Sequence, residues 1–105
     1  MEDNNEDVLE VALQEEVKRY LDITWNDNET NKSVKEYISR AKQDLSELIS
    51  PDIDYEEDIT ARGLLKDHCR YERNKELEYF EHNFLSTIQR LQLIYACKEI
   101  GKNEE

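Results

Sequence analysis

The stretch Thr30-Asn31-Lys32-Ser33-Val34-Lys35-Glu36-Tyr37-Ile38-Ser39-Arg40-Ala41-Lys42-Gln43-Asp44-Leu45-Ser46-Glu47-Leu48-Ile49 decides the fold. Val34, Ile38, Ala41, Leu45 and Leu48 recur at spacings of four, three, four and three, which sets them on one face of an α-helix. Tyr37 and Ile49 widen the stripe, while Lys32, Lys35, Arg40 and Gln43 hold the opposite face. Asp27, Asn28 or Thr30 can cap the start. Ser50-Pro51 ends the pattern, because the residue before a proline is pushed out of the α region. The spacing predicts a helix over 30–49 whose apolar face needs partners.

The flanking segments supply them. Leu9, Leu13, Val17 and Tyr20/Leu21 predict a helix over 7–21 behind a solvated, flexible acidic tail at 1–6. Ala61, Leu64, Leu65, His68 and Cys69 predict a third helix over 60–73, starting near Ile59 or Thr60. Gly63 within it costs up to ~1 kcal/mol against alanine. Its reason is either a close helix contact or tolerated drift. The apolar pattern lapses at Arg70-Tyr71-Glu72-Arg73-Asn74-Lys75, which places a break near Asn74. A fourth helix is predicted over 75–98 from Leu77, Phe80, Phe84, Ile88, Leu91 and Tyr95, broadened by Leu85, Ile94 and Cys97. Glu76, Glu78 and Glu81 near its start, with Lys98 and Lys102 near its end, suit the helix dipole. Gly101 is its expected stop. The fold class is all-α, a small single-domain bundle of about four helices spanning 1–105.

Composition agrees. At 105 residues and 12.6 kDa the chain has room for one domain and one modest core. Two glycines and one proline exclude turn-rich sandwiches and collagen-like chains. Leu, Ile, Val and Phe number 25 of 105, above the ~20% below which charged chains stay disordered. The net charge is −12. Residues 1–16 carry seven acids and no base, residues 51–61 carry five acids and no base, and the remainder balances. Such a surface repels nucleic acid and anionic membranes. The longest apolar run, Leu93-Ile94-Tyr95-Ala96-Cys97, is far short of a ~20-residue span. The acidic N-terminus lacks the basic region of a secretory signal, so Cys69 and Cys97 are expected as free thiols in a reducing cytosol.

Candidate sites are few. Asp44-x-x-Glu47 and Glu78-x-x-Glu81 each pair carboxylates one helical turn apart, the way helical pyrophosphatases hold Mg²⁺. In a chain with 26 acids such spacings arise by chance, so a solvated face is the favoured reading. His68, Cys69, His82 and Cys97 lack zinc-ligand spacing. Cys69 and Cys97 fall on apolar faces, and His68 reads as a partly buried, hydrogen-bonded core residue. No nucleophile elbow and no phosphate loop is present, since the two glycines stand 38 residues apart. No catalytic residue, cofactor or metal is expected. Arg70, Tyr71, Arg73 and Asn74 mix charge and aromatic character as protein interfaces do. Trp25 joins them as an interface candidate, although a lone loop tryptophan more often plugs the core.

The order Val17-Lys18-Arg19-Tyr20-Leu21-Asp22-Ile23-Thr24-Trp25, Thr30 opening a long helix that ends Leu45-Ser46-Glu47-Leu48-Ile49, Ala61-Arg62-Gly63-Leu64-Leu65-Lys66-Asp67, Arg70-Tyr71, Asn74 and Leu77-Glu78-Tyr79-Phe80-Glu81-His82-Asn83-Phe84 resembles the head–tail connector (adaptor) proteins of long-tailed phages and prophages. The likeness spans residues 13–97. It implies a helical subunit of a homo-oligomeric ring of roughly a dozen copies beneath the portal protein. Such a ring extends the DNA channel and receives a head-completion (stopper) or tail protein. DNA passes without specific binding and no membrane is involved. The place implied is the head–tail junction of the virion, with host cytoplasm before assembly. Arg70, Tyr71, Asn74, Phe80, Asn83 and Phe84 match the motif as packing and interface candidates. The long acidic start at 2–10 departs from it. Residues 52–58 or the N-terminal tail are expected at the lumen, where carboxylates keep DNA from sticking.

Two other readings stand beside this one. An acidic interaction module, or a DNA-mimic inhibitor of a basic partner, suits the net charge. A small Mg²⁺-dependent pyrophosphatase would use Asp44, Glu47, Glu78 and Glu81.

Overall fold

The computed structural model describes the backbone of residues 3–103 and the side chains of 8–101. The architecture is all-helical, a single domain without strands among the described residues. Helix α1 spans Asp3–Tyr20, α2 Asn28–Leu48 and α3 Ile59–Arg73. A 3₁₀ turn over Leu77–Tyr79 leads into the one-turn α4, Phe80–Asn83, and then into α5, Leu85–Asn103. The expected tail at 1–6 is overturned in part: α1 already begins at Asp3, and residues 1–2 lie outside the described residues.

The ends of the first three helices follow local chemistry. Asp27 has extended backbone, and its carboxylate accepts the Thr30 amide at 2.7 Å, so it is the N-cap of α2. Asp58 caps α3 by accepting the Ala61 amide at 3.0 Å. Helix α1 ends in a Schellman motif: Ile23 donates to the Lys18 carbonyl at 2.8 Å, Asp22 donates to that of Arg19 at 3.2 Å, and Asp22 sits at φ 59°. Helix α3 ends the same way. Glu76 donates to the Tyr71 carbonyl, Lys75 to that of Glu72, and Lys75 sits at φ 60°.

The core forms where the predicted stripes meet. Leu13, Val17, Val34, Ile38, Ala41, Leu45, Ala61, Leu65 and Cys69 are all buried, with α2 and α3 as the central pair. Helix α1 lies across both. The Arg62 guanidinium grips the Glu16 carboxylate, and Lys42 meets Glu10 at 2.9 Å. The Arg62 contact holds the Glu16 carboxyl below its ordinary range. Arg73 donates to the Leu21 carbonyl at 2.8 Å, tying the end of α3 to the end of α1.

The C-terminal third departs from expectation. The single helix predicted over 75–98 is broken into three elements, because Phe80 and Phe84 both turn inward against Tyr71. Gly101 does not stop α5, which continues to Asn103. Among the described side chains of α5, only Ile88, Leu91 and Tyr95 are buried. Leu85 and Ile94, expected to broaden its core face, are 45% and 42% exposed. Cys97, expected on an apolar face, is exposed, and Trp25, the interface candidate of the α1–α2 loop, is 49% exposed and does not plug the core.

The molecule is a slab of 49 × 40 × 17 Å. Its radius of gyration is 14.7 Å, against about 13 Å for a compact domain of this length.

Glycine usage is inverted. Gly63 sits inside α3 with open space around the position a Cβ would take and no positive φ, so no close helix contact explains it. The two left-handed positions, where glycine relieves strain, hold Asp22 and Lys75. Gly63→Ala and Lys75→Gly should each stabilise the fold by roughly 1 kcal/mol. Urea unfolding followed by circular dichroism checks this, with midpoints rising at constant slope.

Candidate functional site

The aromatic and basic cluster predicted around residues 70–74 is a built-in joint. The Tyr71 ring packs edge-on against Phe80 at 5.8 Å and Phe84 at 5.6 Å, and its hydroxyl accepts from the Asn83 amide at 2.9 Å. Phe80 also meets the His68 ring at 5.0 Å. The resembling motif residues Tyr71, Phe80, Asn83 and Phe84 thus hang α4 and α5 on α3. The Arg70 guanidinium lies 5.1 Å from the Tyr71 ring centre and 5.9 Å from that of Tyr20, and donates to Asp67 at 3.2 Å. Tyr20 donates to the same carboxylate, which pushes its phenol pKa up. Arg73 is committed to the Leu21 carbonyl, and the Asn74 amide closes α3 on the Arg70 carbonyl. Trp25 stands elsewhere, in the α1–α2 loop, its indole donating to Thr30 Oγ1 at 2.6 Å. Of the five interface candidates, Trp25, Arg73 and Asn74 are exposed, while Arg70 and Tyr71 are half-buried.

The structure gathers the four carboxylates that the sequence gives only as two separate pairs. Asp44, Glu47, Glu78 and Glu81 line one cleft of about 340 Å³ with Leu48, His68, Leu77 and Phe80. The α2 pair and the pair on the 3₁₀–α4 segment face each other because Phe80 folds that segment back over His68. His68 is 1% exposed and bonds through Nε2 to Asp44 Oδ2 at 2.7 Å, a polar rung between α2 and α3. Its Nδ1 is buried without a hydrogen-bond partner. Glu72 lies behind, one oxygen paired with Arg40 and the other buried and unpaired, and desolvation raises its pKa. Among the described residues, no three His, Cys, Asp or Glu side chains converge closely enough to hold a metal ion. His68 and Cys69 are buried, whereas His82 and Cys97 are exposed, so the four do not come together. Burial pushes the Cys69 thiol up to about 12.

The acidic connection at 52–58 is more structured than its composition suggests. Asp54 accepts the amides of Glu56 at 3.0 Å and Glu57 at 3.3 Å. Tyr55 is buried, with its carbonyl bonded to Arg62, and Asp58 accepts from the Tyr95 hydroxyl at 2.6 Å. Glu56 and Glu57 project from the surface.

Sequence reasoning missed an exposed apolar face on α5. Leu93 is 66% exposed and Ile100 58%; on α1, Val8 is 68% and Val11 58%. The signal was present, since adjacent Leu93 and Ile94 cannot both share a stripe with Leu91 and Tyr95.

Asp44→Ala should destabilise the fold by about 1–3 kcal/mol, because it strands the buried His68 Nε2. Glu81→Gln, on the same cleft but without that rung, should leave the unfolding midpoint unchanged. Parallel urea titrations of both variants separate a structural carboxylate from a solvated one.

Compared with known proteins, the chain matches no protein-family model, no curated protein and no solved structure.

Proposed function

We propose that the chain is a structural subunit of a ring at a phage head–tail junction, a connector that extends the DNA channel under the portal and docks a head-completion or tail protein. The observation that carries this is surface. A flat helical slab with uncovered Val8, Val11, Leu93 and Ile100 suits a subunit finished by its neighbours. The resemblance of the Arg70-Tyr71…Asn74…Phe80…Asn83-Phe84 run supplies the connector, portal and phage part of the reading. In it the buried members of that run hold the C-terminal elements in place. The reading assigns no catalytic residue and no cofactor.

The exposed carboxylates of the 52–58 connection would face the lumen, where they repel DNA phosphates. Asp54 and Asp58 organise that loop, so the charge facing DNA falls to Glu56 and Glu57.

A second reading is favoured by the cleft lined by Asp44, Glu47, Glu78 and Glu81. Four carboxylates around an apolar floor suit a lysine or arginine side chain of a basic partner. In that reading the protein is an acidic interaction module.

Native mass spectrometry across a concentration series, alone and with a portal protein from the same genome, decides between them. The ring reading expects a closed oligomer of about a dozen copies, formed alone or on the portal. A persistent monomer that ignores the portal but binds a basic partner favours the module. Within an assembled ring, Glu56→Lys with Glu57→Lys should leave stoichiometry intact and add salt-sensitive DNA binding, read by fluorescence anisotropy. A reversed ring that still ignores DNA at low salt removes these residues from the lumen.

A further inference from the structure

Two polar rungs join α2 to α3, and each leaves one buried atom without a partner. In the first, His68 Nε2 meets Asp44 Oδ2 at 2.7 Å. A carboxylate only accepts, so Nε2 carries the hydrogen of that bond. In the neutral ring Nδ1 is then an acceptor, and it is buried with nothing donating to it. In the second rung, Glu72 Oε2 pairs with Arg40, while Oε1 is buried and equally unpartnered. The Glu72 side chain is only 12% exposed. An acceptor stripped of water and given no donor is costly.

The two unpartnered atoms belong to neighbouring side chains. His68 and Glu72 are four residues apart in α3, so they share one face of that helix, with about 5–6 Å between their Cβ atoms. Both atoms are acceptors, and no hydrogen bond joins them. One hydrogen placed between Nδ1 and Oε1 would give both a partner at once. The surrounding charge favours that hydrogen. Helix α2 brings Glu36, Arg40 and Asp44 to Glu72, one base against two acids. Glu47, Glu78 and Glu81 line the cleft beside His68. Cys69, next to His68 on α3, keeps its thiol neutral through burial. The Phe80 ring packs edge-on against the imidazole at 5.0 Å and adds no charge. Desolvation raises the Glu72 pKa, helped by Asp44 and Glu36 and opposed by Arg40 and His68.

We propose that His68 and Glu72 share one proton, which closes Asp44, His68, Glu72 and Arg40 into a single chain of hydrogen bonds across the α2–α3 seam, and that the chain opens when the proton leaves. The proton is taken from solvent and belongs to the pair rather than to either residue. The seam thus carries a pH-sensitive lock, closed at lower pH and open at higher. A carboxyl that holds its proton more tightly folded than unfolded adds stability at low pH and loses it as pH rises. The Glu16–Arg62 tie on α1 runs the other way, because a carboxyl held low loses its contribution as pH falls. The lock sits within one copy of the chain and stands apart from the ring reading.

Glu72→Gln is the test. The glutamine amide accepts from Arg40 through its oxygen and donates to Nδ1 through its nitrogen, so it copies the protonated form at every pH. Urea unfolding of variant and wild type is compared at about pH 8 and about pH 5.5. Both values lie above the ordinary glutamate pKa of about 4.3, so unfolded Glu72 stays ionised throughout. The other titrating groups are common to both proteins, and their contributions cancel in the ratio of unfolding constants. At the higher pH the variant should be the more stable, with an unfolding constant about tenfold smaller. At the lower pH, where wild type holds the shared proton, the ratio should shrink toward one. Glu36→Gln relieves a charge near Glu72 but gives Nδ1 no donor, and should show neither effect. The imidazole ¹⁵N spectrum of His68 supplies a second readout. In wild type the Nδ1 resonance should move, as pH falls, from that of a bare acceptor to that of a hydrogen-bonded nitrogen. In Glu72→Gln it should stay in place. A variant no more stable than wild type at the higher pH overturns the proposal, as does an advantage that does not change with pH. A pH-dependent advantage with a motionless Nδ1 resonance assigns the proton to Glu72 alone and also overturns the shared site.

Discussion

Everything else in this molecule depends on the seam between α2 and α3. The chain has few large apolar residues, and it spends the most regular of them on two facing stripes. Ala41 and Ala61, both fully buried, are small enough to let the two backbones approach. Two polar rungs cross the seam, Arg40 to Glu72 and Asp44 to His68. They fix the register that apolar contacts alone would leave loose. Helix α1 is then laid over the seam through Arg62 and Arg73. The C-terminal elements hang from its far end through Tyr71, His68 and Phe80.

How far the sequence could be read follows from how local each cause is. Helix α2 was legible to within two residues at each end, because its stripe is periodic and its stop is a proline. The break near Asn74 was legible as a lapse in pattern, and the structure adds the left-handed Lys75 that executes it. The division of the last helix was not legible. Leu77, Phe80, Phe84 and Ile88 keep helical spacing in sequence, but tertiary pull on Phe80 and Phe84 overrides it. The exposure of Cys97 was not legible for a related reason. That residue closes the apolar run Leu93-Ile94-Tyr95-Ala96-Cys97, but no second element arrives to cover it. The acidic cleft illustrates the same limit. Each carboxylate pair was visible as a spacing, yet their meeting across His68 is a property of the fold.

The distribution of charge now has a structural frame. Four of the five acids at 51–61 divide into two kinds. Asp54 and Asp58 accept backbone amides and organise the turn into α3, while Glu56 and Glu57 are left to solvent. The acids of α1 whose side chains are described divide likewise. Glu10 and Glu16 pair with Lys42, Arg62 and Lys66, while Glu15 remains exposed. Net charge is therefore a poor guide to function here, because part of it is absorbed by capping and by ion pairs between helices. What remains at the surface is the part available to partners.

The thinness of the slab has a consequence for motion. A body 17 Å thick is under two helix diameters deep, so no element lies far from water. Helix α5 is the least anchored, since three buried side chains and the bonds of Gln92 and Tyr95 are its main ties to the body. Its backbone amides can open to hydrogen exchange without disturbing the α2–α3 seam, as a separate cooperative unit of low free energy. A surface that covered α5 from outside would slow that exchange. The last third of the chain would then acquire its rigidity from assembly rather than from folding.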